Sequence, residues 1–187
     1  KSDYKIFIFL FFINLIFFAK LLLPDYFIGG DIRDFVFQIL SFKKLNLNWN
    51  NFQFCGVPSS VPYSGLNYLF AFEFLGLFYS FKIAFIFHFF VLQVFAYKFF
   101  RLYTRSVSSA VAGSILLAFS GYYTNIVLKG HNTFLYTNAF GLTLIYLIIN
   151  FIRTDNKLNL IFVPFCIYFQ ITGGTPYSIA FNLALLI

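Results

Sequence analysis

The sequence predicts an all-α polytopic membrane protein, and three observations predict it. Of 187 residues, 60% are hydrophobic and 10% charged, with a mean hydropathy of +0.82. A soluble domain carries about 25% charged residues. The apolar residues fall in runs close to the ~20 residues that cross ~30 Å of hydrocarbon as a helix. Short stretches bearing Lys or Arg separate several of those runs. With no water available in lipid, each run must satisfy its own backbone, so helices are expected.

Spans are expected at about 6–23, 83–100, 107–127, 134–152 and 158–172, within a single transmembrane domain. A sixth run at 177–187 is too short to cross. The chain also begins at Lys1 without Met, so it reads as the N-terminal part of a larger protein. No small-residue cleavage site precedes Pro24, so no signal peptide is expected. The third span carries Ser108, Ser109, Ala110, Ala112, Gly113, Ser114 and Ala118, which suits close approach of a neighbouring helix.

Between the first two spans lies a long polar interval, 24–66, holding three of the six acidic residues: Asp25, Asp31 and Asp34. It reads as a loop carrying short helices. The following stretch, 66–81, is apolar but contains Glu73 and ends at Lys82. A charge at a helix centre costs about 2.5–3.5 kcal/mol on insertion scales, so an interfacial helix is expected there.

Orientation follows from the cations. Lys1 and Lys5 precede the first span, Lys98, Arg101 and Arg105 separate the second and third, and Arg153 and Lys157 separate the fourth and fifth. Short loops rich in Lys and Arg face the cytoplasm. The expected location is the cytoplasmic (inner) membrane, with the N-terminus inside and 24–66, 128–133 and 173–176 outside.

The net charge of +7 does not imply a nucleic-acid partner, because the basic residues sit at the ends of apolar runs and not on one soluble face. Cys55 and Cys166 lack metal-like spacing, and no disulfide between them is expected.

The outer segments gather the residues suited to chemistry. Asp31 and Asp34, three apart, share a face on one helical turn. Such a pair can divide labour, one as general base and one as metal or hydrogen-bond partner. Asp31 is equally placed to cap a helix over 32–42. Lys129 and His131 can hold a phosphate through charge-assisted hydrogen bonds, or cap a helix end beside lipid headgroups. Gly173-Gly174-Thr175-Pro176 reads as a tight break between spans. His88, amid Phe residues, reads as a satisfied core histidine.

Gly30-Asp31, Gln38, 47–52 (Leu-Asn-Trp-Asn-Asn-Phe) and Gly56-Val57-Pro58 occur in that order after the first span. Ser120-Gly121-Tyr122, Gly130-His131-Asn132 and 172–176 follow. The ordered set resembles bacterial membrane proteins of the YfhO type, within the GT-C-fold glycosyltransferase group. The resemblance implies a GT-C-like transmembrane helix bundle with its active site under the first outer loop. The donor would be a sugar on a polyprenyl phosphate in the membrane lipid, and the acceptor a cell-envelope molecule. Asp31 would be the general base and Asp34 its second acid. Arg33, Gln38, Trp49 and Asn50 would bind substrate, while Lys129 and His131 would neutralise the leaving phosphate. No cofactor is assigned. A divalent cation stays an open option, because Asp34 stands one residue beyond an Asp-x-Asp spacing. The competing readings are a transporter or lipid flippase and a non-catalytic envelope assembly protein. Transport paths place ionisable groups on broken helices near the midplane, whereas here the strongly polar residues well inside the spans are Asn14, Lys20, His88 and Gln93.

Overall fold

The computed structural model describes residues 3–23, 49–50, 57–58, 77–104, 106–129 and 132–173. They form helices α1 (Tyr4–Phe17), α2 (Leu77–Tyr103), α3 (Val107–Ala118), α4 (Gly121–Lys129), α5 (Asn132–Thr154) and α6 (Leu158–Gly173). A 3-10 turn, Ala19–Leu22, continues α1. The described part is therefore helical, apart from one antiparallel pair of two-residue strands, β1 (Trp49–Asn50) and β2 (Val57–Pro58).

Two stretches among the described residues, Lys82–Tyr103 and Phe134–Thr154, are long and apolar enough to cross a membrane. Tyr4–Phe17 and Leu158–Gln170 are shorter apolar helices. At 1.5 Å per residue α1 alone reaches about 21 Å, and the 3-10 turn at ~2 Å per residue adds about 8 Å, which together approach a bilayer core.

Several boundaries differ from the sequence expectation. The helix over 83–100 starts earlier, at Leu77, so 77–81 belong to it and not to a separate interfacial helix. The stretch 107–127, expected as one span, is divided between α3 and α4. Phe119 ends the first helix by donating its N–H to Ile115 O at 2.9 Å, and Ser120 O then accepts from Thr124 N at 2.9 Å to open the second. Ser120-Gly121 is the cause: a Gly/Ser step is a habitual site of helix breaks, and a Cβ on Gly121 would meet nothing within 4 Å. The remaining interval 24–48, the segment 66–76 and the run 177–187 lie outside the described residues.

Local chemistry fixes the other ends. Ser106 caps α3, its Oγ accepting from Ser109 N at 3.3 Å, the role its short hydroxyl favours. Between α5 and α6, Asp155 adopts φ 52° and Asn156 Oδ1 accepts from Leu158 N at 3.1 Å. That turn makes an αα-hairpin.

α1 and α2 run antiparallel, as successive pairs show. Phe7 packs edge-on to Tyr97 (6.1 Å between ring centroids), Asn14 meets Gln93, Phe18 meets Phe85 (5.6 Å), and Leu23 meets Lys82. α2 pairs with α3 on one side and with α5 on another, and α5 with α6. The main core joins Phe18, Phe85, Phe89 and Leu92 to Leu135 and Tyr136 of α5.

The bundle buries several polar side chains and exposes many large apolar ones. Asn14, Gln93, Ser114 and Thr137 are fully buried, while Ile16 (76% exposed), Leu116 (73%) and Ile152 (74%) face outward. α6 exposes Leu158, Ile161, Phe162, Phe165 and Tyr168 as well.

Candidate functional site

Three cationic segments converge on one end of the bundle. The Arg153 Nη1 donates to Leu102 O at 2.6 Å, and its guanidinium lies 4.6 Å from the Tyr103 ring centroid. Lys98 Nζ stands 5.3–5.6 Å from the rings of Phe7, Phe95 and Tyr146, contributed by α1, α2 and α5. Such placement over ring faces suits a partly buried cation. The start of α1, the end of α2 and the end of α5 therefore share that end. The opposite end holds Leu23, Lys82 and the α3–α4 break, and from it the acid-bearing 24–76 interval departs and returns.

Of the residues expected to form the site, Trp49 and Asn50 are the strand β1, paired with Pro58 and Val57 respectively. The pairing brings Trp49-Asn50 and Val57-Pro58 side by side through their backbones. Lys129 closes α4; its side chain, and all of Asp31, Arg33, Asp34, Gln38 and His131, lie outside the described residues. Among the described residues no three His, Cys, Asp or Glu come together in a way that could hold a metal ion. Cys166 is a free, buried thiol.

Two polar constellations emerge that sequence reasoning did not assemble. In the first, Asn14 Nδ2 donates to Gln93 Oε1 at 2.7 Å, and Ser114 Oγ donates to Gln93 O at 2.7 Å. One residue of α2 thus binds α1 with its side chain and α3 with its backbone. Among the described residues Asn14 Oδ1 and Gln93 Nε2 have no hydrogen-bond partner, so each amide uses one of its two polar atoms on the other. The available signal was a single amide in each of two predominantly apolar runs, and a Ser among the small residues of the third.

The second constellation lies at the loop end. Lys82 is 3% exposed, its Nζ donates to Leu23 O at 2.5 Å, and it stands 5.3 Å from the Tyr79 ring centroid. A buried ammonium is costly unless its donors are met, and the Leu23 carbonyl, beyond the last turn of a helical segment, is an acceptor that the helix itself leaves open. In the sequence Lys82 served only as a boundary.

His88 is 1% exposed. Its Nδ1 donates to Ala84 O at 2.5 Å, and its ring lies 4.1 Å from Tyr136 and 5.5 Å from Phe140. That is the hydrogen-bonded core histidine expected of it.

No known protein family matches the chain, and neither a curated protein nor a solved structure is similar enough to match.

Proposed function

We propose that this chain is the membrane-embedded part of a GT-C-type glycosyltransferase that takes a sugar from a polyprenyl-phosphate donor at the outer face of the membrane. The observation that carries the membrane reading is the outward display of large apolar side chains around buried polar ones. Asn14, Gln93, Ser114 and Thr143 hydrogen-bond inside the bundle, while Ile, Leu and Phe face out, as lipid favours. The gathering of Lys98, Arg101 and Arg153 near one end supports that end as cytoplasmic, which leaves the 24–66 interval on the outer side. The transferase reading rests on the ordered motifs around Asp31.

In that reaction the Asp31 carboxylate takes the proton of the acceptor hydroxyl as its oxygen attacks the anomeric carbon. The bond from that carbon to the phosphate oxygen breaks, and the electron pair leaves with the polyprenyl phosphate. Lys129 and His131 meet the charge developing there. Asp34, Arg33, Gln38, Trp49 and Asn50 hold the sugar and acceptor in line. An amide pair such as Asn14–Gln93 carries no charge, so it supports helix association and not the ionisable relay of a transporter or flippase.

Transfer of labelled sugar from a polyprenyl-phosphate donor by the full-length protein tests the proposal. Replacing a general base costs about 10²–10⁴-fold, so Asp31→Asn should fall by that factor. Undiminished transfer would overturn the catalytic assignment. Reporter fusions after Lys157 and within 43–50 should give cytoplasmic and outer signals respectively, and the reverse result would overturn the orientation.

A further inference from the structure

We propose that the corner formed by Arg153 and Tyr103 holds the phosphate of an anionic phospholipid in the leaflet that this end of the bundle meets. The inference rests on the membrane part of the function proposed above, and on neither the sugar donor nor the orientation.

The site begins with the end of α2. The last carbonyls of a helix have no partner within it, and they form the negative end of its dipole, which draws cations. Two guanidiniums meet them. Arg101 Nη1 donates to Thr104 O at 2.9 Å from the same helix end, and Arg153 Nη1 reaches across from α5 to Leu102 O at 2.6 Å. The Arg153 guanidinium carbon also lies 4.6 Å from the Tyr103 ring centroid, so a carbonyl and a ring fix it from two sides. Ordering a long side chain in advance removes part of the entropy that binding would otherwise cost.

A guanidinium carries five N–H donors in a planar fork. Among the described residues Arg153 makes one hydrogen bond, and no acid pairs with it. The side chain is exposed, so the remaining donors are open to a ligand, and their fork matches phosphate oxygens two at a time. The charge around it favours an anion. Lys5, Lys98, Arg101, Arg153 and Lys157 share this end with only two described acids, Asp3 and Asp155. The surroundings select a lipid over a soluble anion. Ile152 beside Arg153, Leu158 across the turn and Tyr103 itself are exposed apolar surface. A headgroup on the fork lays its acyl chains against such side chains, which inorganic phosphate leaves unused, and an amphipathic Tyr suits that depth.

The test compares spin-labelled phosphatidylglycerol with spin-labelled phosphatidylcholine in phosphatidylcholine nanodiscs holding the full-length protein. The parent should associate with phosphatidylglycerol at least about fivefold more strongly. Arg153→Gln, whose amide still serves Leu102 O, should remove most of that preference. Arg153→Lys, which keeps the charge without the fork, should restore no more than about half. Lys5→Gln, at the same end, should change it by less than about twofold. Equal losses for Arg153→Gln and Lys5→Gln, or full preference in Arg153→Lys, would mean diffuse charge and overturn the site. Displacement of the labelled lipid by millimolar inorganic phosphate would overturn the lipid in favour of a free anion. Should Arg153→Gln fail to fold, Tyr103→Leu takes its place, with a loss of about two- to fivefold expected and an unchanged preference overturning the site. Protein that alkali strips from membranes sinks the membrane reading, whereas protein that stays embedded but shows no preference sinks the lipid site alone.

Discussion

The contact of α1 with α2 and that of α5 with α6 solve the same problem differently. Both are antiparallel, both are made largely of Phe and aliphatic residues. α5 and α6 are joined by the short turn at Asp155–Lys157, and they seat Leu144, Leu147 and Cys166 in a common cluster with Phe140 stacked on Phe169 (4.8 Å, 17° between planes). α1 and α2 meet across tens of residues of intervening chain, and they carry hydrogen bonds at Asn14–Gln93 and Leu23–Lys82. The difference teaches what specifies a helix pair where the surroundings are as apolar as the helices. A short turn already dictates register for neighbours in sequence. Distant helices lack that constraint, and hydrophobicity alone does not choose among their rotations. Directional bonds do.

The sharpest way to break the contrast is Gln93→Leu. It strands the Asn14 amide in the core, and an unsatisfied buried polar group costs about 1–3 kcal/mol. SDS-titrated unfolding in bicelles should show that loss, while Asn14→Leu added to it should restore much of the stability. If the single and double variants unfold alike, the amide pair does not specify the interface. Next in size is Gly113→Val on α3. Even a Cβ there would stand 3.0 Å from the Phe100 ring of α2, and overpacking of this kind costs about 1–3 kcal/mol. Phe100→Leu in the same chain should relieve it, and the same unfolding titration reads both. Ser114→Ala removes one interhelical bond and should cost about 0.6 kcal/mol, the average for such bonds in a membrane bundle. A larger loss would mean that Ser114 also orients Gln93. Of opposite sign is Asp155→Gly in the α5–α6 turn. Relief of the left-handed backbone should stabilise by up to about 1 kcal/mol, detectable as a higher unfolding midpoint. Destabilisation would show that the Asp155 side chain contributes to the turn.

Much of the fold could be read before any coordinates, for reasons that particular residues make clear. The helices over 83–100 and 134–152 stand out because nothing in them interrupts apolar character for longer than two residues, and the Thr154-Asp155-Asn156 step announces both the end of α5 and the start of α6. Pro164 sits inside α6 without ending it, where only the Leu160 carbonyl loses its N–H partner. The break between α3 and α4 is not legible in the sequence because hydropathy sums pass smoothly over Ser120-Gly121. The helix start at Leu77 was hidden because Lys82 looks like a boundary when its ammonium is taken to be solvated. Its burial becomes intelligible only once Leu23 is beside it. The Asn14–Gln93–Ser114 node required knowing the relative rotation of three helices, which no window along one chain contains. As for the expected site, the strand pairing of Trp49-Asn50 with Val57-Pro58 is described, whereas Asp31, Arg33, Asp34, Gln38 and His131 lie outside the described residues.

The 3-10 turn Ala19–Leu22 has a consequence for the lipid this protein prefers. Rewinding those four residues as α-helix would shorten the first segment by about 2 Å, since 3-10 backbone rises ~2.0 Å per residue against ~1.5 Å. With the turn, the apolar segment reaches about 29 Å, close to a bilayer core that α1 alone would underreach. Mismatch costs only fractions of a kcal/mol per Å, a scale on which 2 Å of helix length is felt. A thinner bilayer would favour relaxation of the turn into α-helix, whose wider winding rises less per residue.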